Sequence, residues 1–153
     1  MNRAGAAPTL QGHLRHIRPM PSAAPATPPP AKELNPQWPR VAVCEPDPSL
    51  RALLGEWLYR ASFEPVPCGP TGAANGVVLV VADVPAPRQG GAACIAALRQ
   101  HFPHARVLAI SGQFMPGMHG ATTAAVELGA DAVLAKPFAA KVFVDTVHAL
   151  TQA

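Results

Sequence analysis

From Arg40 onward, short apolar runs alternate with segments of helical periodicity, and this alternation constrains the fold more than any other feature of the chain. Strands separated by helix-length segments cannot pair as tight hairpins. They form a parallel sheet with helices packed on both faces. Five units can be counted. Strand one is Val41 to Cys44, followed by helix one from about Ser49 to Arg60, where Leu50, Leu53, Leu54, Trp57 and Leu58 make a helical apolar stripe and Asp47 or Ser49 is placed to cap. Strand two spans about Phe63 to Cys68; its Pro65 and Pro67 donate no ladder hydrogen bonds, which suits an edge. Strand three (77 to 82) leads to helix three (about 91 to 102), strand four (106 to 110) to helix four (about 121 to 128), and strand five (132 to 135) to helix five (about 139 to 151). Only Gly69 to Gly76 lies between strands two and three. A parallel crossover normally takes a dozen or more residues, so helix two is expected to be a stub or absent and one flank of the sheet thinly covered.

The 153 residues, 49% of them apolar, allow one domain with an ordinary core plus an extension. Residues 1 to 39 carry nine of the 19 prolines, centred on Pro28-Pro29-Pro30, and read as a disordered, Pro/Ala-rich extension that buries too little surface to offset chain ordering. Within it, Leu10, Leu14 and Ile17 recur at helical spacing beside Arg15, His16 and Arg18, which admits a short docking helix or a plain unstructured leader. The extension also holds the whole net charge of +3, because residues 40 to 153 contain eight bases and eight acids. That balance gives no reason to expect the folded part to bind nucleic acid.

Cys44, Cys68 and Cys94 are odd in number and contain no CxxC, so the expectation is buried small residues in place of a disulfide framework or a zinc site. His101 and His104 flank Pro103 with no acid or cysteine close in sequence and read as surface residues. There is no signal-peptide pattern and no run of ~20 apolar residues, which points to a soluble cytoplasmic protein with no membrane partner.

The chemistry collects at strand ends. Asp83 closes strand three and Ser111 closes strand four, while Lys136-Pro137-Phe138 closes strand five. A carboxylate and an ammonium delivered to one edge suit a phosphoryl site, and Pro137 makes a cis peptide inexpensive, a turn able to aim Lys136 into a cleft. Singly, each has a plain reading: a turn cap, a strand-end hydroxyl, a solvated charge. The loop from Ser111 to Gly120, with three glycines and Met115 and Met118 around Phe114, is either a partner surface or a flexible loop tucked on the core.

Taken in order, four segments resemble the receiver domain of bacterial response regulators: residues 40 to 51, 83 to 87 with Gly91, 106 to 112, and 129 to 138. The resemblance implies a flavodoxin-like, CheY-like three-layer sandwich of five parallel strands in the order 2-1-3-4-5, with function at the carboxyl ends of the strands. It implies Asp83 as phosphoacceptor, Lys136 and Ser111 as phosphoryl contacts, and Mg²⁺ held by Glu45 and Asp83. Two departures stand out. Pro46 occupies the place of a second pocket acid, with Asp47 one residue too late, and Val133 replaces the usual aromatic residue on the lysine strand. The expectation is therefore an atypical, stand-alone receiver in two-component phosphorelay signalling: a non-enzymatic pseudo-receiver with a weakened magnesium site, bound by a histidine kinase or a downstream signalling protein. The nearest alternative is a working phosphoacceptor. A flavin- or nucleotide-binding protein of the same fold would need a phosphate cradle after strand one, where this chain has Glu45-Pro46-Asp47-Pro48.

Overall fold

A computed structural model of the chain describes residues 35–69 and 74–152. The rest of the N-terminal extension, with Leu10, Leu14 and Ile17, lies outside the described residues, as do residues 70–73. The elements run β1 (Arg40–Cys44), α1 (Pro48–Arg60), β2 (Glu64–Pro67), β3 (Val77–Asp83), α2 (Ala92–His101), β4 (Arg106–Ser111), β5 (His119–Gly120), α3 (Thr123–Leu128), β6 (Ala132–Ala135) and α4 (Ala140–Thr151). The sheet order is β2-β1-β3-β4-β6-β5. Its first five strands are parallel and follow the expected order, with β2 on the edge. The sixth strand corrects the sequence reading: His119–Gly120, expected within a pliable loop, pairs antiparallel with Leu134 and Val133 and covers the edge of β6.

Strand alternation builds the layers. Leu79 and Val81 of β3, Leu108 and Ile110 of β4 and Leu134 of β6 face the side on which Leu54 and Leu58 of α1 and Phe143 and Val147 of α4 pack. Val107, Ala109, Val133 and Ala135 face the opposite side, under Ile95 of α2 and Ala125 and Leu128 of α3. A third, smaller cluster covers that opposite side at β1 and β3, where Ala42, Val80 and Ala82 meet Phe102 and Ala105. Small clusters of this kind mark the thin flank anticipated from the short β2–β3 connection, which carries no helix among its described residues.

Local chemistry sets the element ends. Asp47 is the N-cap of α1, its carboxylate accepting from the amides of Ser49 and Leu50 at 2.8 and 3.2 Å. Gly91 sits where a Cβ would come within 2.8 Å of Leu128 Cδ2 and 3.2 Å of Val84 Cγ1, so a larger residue would force those side chains to shift between α2 and α3. Ahead of the sheet, Trp38 packs edge-on against Tyr59, and the carbonyl of Pro39 accepts from the amide of Glu64, binding residues just before β1 to α1 and β2.

The cysteine expectation is overturned. Cys44 and Cys68 form a disulfide across 24 residues, and Cys94 is free and exposed, not buried. Sequence spacing hid the bridge because only the parallel pairing of β1 with β2 brings their carboxyl ends together. His101 and His104 are exposed as expected. No helix among the described residues is long and apolar enough to cross a membrane.

Candidate functional site

Parallel strands of similar register end together, so residues at their carboxyl ends converge however far apart they lie in sequence. Glu45 follows β1, Asp83 ends β3, Ser111 ends β4 and Lys136 follows β6. The amide of Lys136 donates to the carbonyl of Ser111 at 2.9 Å, fixing the exit of β6 beside that of β4. The Lys136–Pro137 peptide is cis, as expected. The Lys136 ammonium then donates to Asp83 Oδ1 at 2.8 Å and to Glu45 Oε2 at 2.7 Å. One cation thus serves two carboxylates.

The acids are sheltered and the lysine less so: the side chains of Glu45, Asp83 and Lys136 are 2%, 11% and 23% exposed. Burial opposes the charged lysine, but hydrogen bonds and attraction from Asp83 and Glu45 outweigh it, and the pKa of Lys136 is raised above its ordinary value of 10.5. Lys136 is therefore an ammonium throughout the physiological range. The second oxygen of Glu45 is also engaged, Oε1 accepting from the amide of Asp47 at 3.1 Å, and Arg51 of α1 donates to the Glu45 carbonyl at 2.9 Å. Sequence reading missed Arg51. Its position one turn into α1, on the face toward β1, was the available signal.

Ser111 is fully buried, and its hydroxyl accepts from the amide of Gln113 at 3.1 Å, a local turn bond. Asp47 is exposed and its Oδ1 is committed to capping α1; Pro46 is exposed and brings no side-chain donor. Among the described residues, no three His, Cys, Asp or Glu side chains are grouped so as to hold a metal ion.

No family model matches the sequence, and no curated protein does. Solved structures do match. A response regulator from Thermotoga maritima superposes with a TM-score of 0.60 at 18% identity, covering 76% of this chain and 99% of that one. The beryllofluoride-activated DrrB receiver domain gives 0.57 at 16% identity over 76% of this chain and 99% of its own. A response regulator protein from Burkholderia multivorans gives 0.53 at 26% identity over 74% and 95%.

The chain folds as a CheY-like receiver domain.

Within this receiver fold, Val133, one of the two departures, has a plain environment. Val133 is fully buried between Ala109 and the α3 side of the sheet, a packing residue on β6. In the loop after β4, Phe114 is buried in the core, whereas Met115 is 71% exposed. The loop then closes on β6, where the carbonyl of Met118 accepts from the amide of Ala135.

Proposed function

We propose that this receiver-fold chain is a pseudo-receiver, a protein-interaction module of two-component signalling that works by binding and turns over no substrate. The observation that supports it best is Lys136 held between Glu45 and Asp83. Magnesium requires near-octahedral oxygen ligation anchored on one or two carboxylates. Here each carboxylate already has an oxygen on the ammonium, the cluster keeps a single net negative charge, and Pro46 and the capping Asp47 contribute nothing further. This donor set does not fit a built magnesium site. A receiver with such a pocket is held in one electrostatic state, and its partners, a histidine kinase or a downstream signalling protein, would read a fixed surface. The loop after strand one also speaks against a flavin or nucleotide phosphate, since Glu45 is negative and takes up the amide of Asp47 that would have faced it.

A second reading, a working phosphoacceptor, is favoured by the convergence of Asp83, Ser111 and Lys136 at one edge. One experiment separates the two. After treatment of the full chain with acetyl phosphate and Mg²⁺, intact-mass measurement is expected to find no phosphoryl adduct. A stoichiometric, Mg²⁺-dependent adduct that disappears in Asp83→Asn would establish the phosphoacceptor.

A further inference from the structure

The thin flank of the sheet carries chemistry that the receiver site does not use. Cys44 and Cys68 pack against the cluster of Ala42, Val80 and Ala82 on this flank, together with Leu98 of α2. Cys44 stands opposite Ala82 in the β1–β3 register, so the bridge lies one residue before Glu45 on one strand and beside the residue before Asp83 on the next. Both bridged cysteines are only partly buried, and Cys68 follows a four-residue edge strand held by β1 alone. Cys68 is thus partly accessible. Cys94, the exposed free thiol of α2, lines the same cleft as Cys68, an apolar opening of about 330 Å³ completed by Leu98, His101 and Phe102.

We propose that Cys44, Cys68 and Cys94 form an intramolecular thiol–disulfide exchange site. The Cys94 sulfur, as thiolate, attacks Cys68 Sγ; the Cys44–Cys68 bond breaks, a Cys68–Cys94 bond forms, and Cys44 leaves as a thiolate that takes up the proton Cys94 lost. The step is an isomerisation, with no net oxidation. In the first state the end of β1, beside Glu45, is tied to the sheet edge. In the second the edge is tied to α2 and the end of β1 is released.

Trypsin separates the three cysteines onto peptides 41–51, 61–88 and 89–99, so the bridges can be read directly. The full chain would be equilibrated in glutathione redox buffers, its free thiols trapped with N-ethylmaleimide, and the monomer digested and mapped by mass spectrometry. The expected result is that the 41–51/61–88 and 61–88/89–99 crosslinks coexist, in a ratio that does not change with glutathione poise, until both give way to free thiols in reducing buffer. In Cys44→Ser the monomer should carry the 61–88/89–99 crosslink alone. The proposal is overturned if wild type passes from the Cys44–Cys68 bridge straight to three free thiols, or if folded Cys44→Ser leaves Cys68 and Cys94 free or paired only with glutathione.

Discussion

At the carboxyl ends of the strands one lysine serves two carboxylates, and at the amino ends one carboxylate serves two arginines. Asp131, just before β6, accepts from Arg99 at 3.0 Å and from the amide of Val107 at 2.8 Å, and it lies 3.6 Å from Arg106. The two clusters are near mirror images in charge, yet they differ in burial. The central groups are equally exposed, Lys136 at 23% and Asp131 at 22%, but the flanking acids Glu45 and Asp83 are 2% and 11% exposed whereas the flanking arginines exceed 40%. Water and salt therefore reach every flanking charge at the amino end, while at the carboxyl end the acids are sheltered and depend mainly on Lys136. A triad in the open is a staple between β4, β6 and α2. The same arrangement under cover becomes a pocket whose every group depends on its neighbours.

Removing the central charge from each cluster should break the symmetry most plainly. Lys136→Met strands two sheltered carboxylates against each other and is expected to lower unfolding free energy by about 3 kcal/mol, the low end for breaking a buried pair because Lys136 is itself partly exposed. Urea denaturation would measure it, and a loss below that of the Asp131 variant described next would mean that burial does not distinguish the two ends. Asp131→Ala removes a charge-assisted bond to Val107 and two screened ion pairs, for an expected loss of about 1.5 kcal/mol that shrinks at high salt.

Pro46→Asp tests the carboxyl end from the opposite direction by adding an acid where the receiver pattern has one. Without metal, like charges should cost stability. With Mg²⁺ well above the new site's dissociation constant, the melting temperature should rise in the variant and hardly move in the parent, following mass-action linkage. Identical responses would show that Pro46 is not what limits the pocket. A smaller effect should appear with pH. Because the folded pKa of Lys136 is raised above 10.5, its contribution to stability is fully present below that value and is lost as pH climbs through the folded pKa. In an alkaline denaturation series the pH dependence above 10.5 should therefore be reduced in Lys136→Met and retained in Asp131→Ala, which leaves Lys136 in place.

Most of the fold was written in local patterns. The apolar stripe of α1, the prolines that confine β2 to an edge, the capping Asp47 and the glycine-opened α2 all act within a few residues of themselves, so one sequence displays them. The site was legible for the related reason that Asp83, Ser111 and Lys136 end apolar runs, and strand ends in a parallel sheet share an edge. The two features missed have no local signature. His119–Gly120 has no strand-like composition and pairs only because β6 presents an open edge beside it. Cys44 and Cys68 belong to no motif, and their bond exists because β2 returns alongside β1.

By itself, then, the sequence determined the alternation of strands and helices and the edge on which chemistry collects. Tertiary structure decided how those groups spend their bonds: Lys136 reaching both Glu45 and Asp83, Asp47 turned to the helix, Cys44 joined to Cys68 with Cys94 facing the same cleft. The physical reason is range. Periodicity, capping and proline act over a few residues, whereas an ion pair spanning 53 or 91 positions or a disulfide spanning 24 depends on which strands lie side by side, a property of the packed sheet alone.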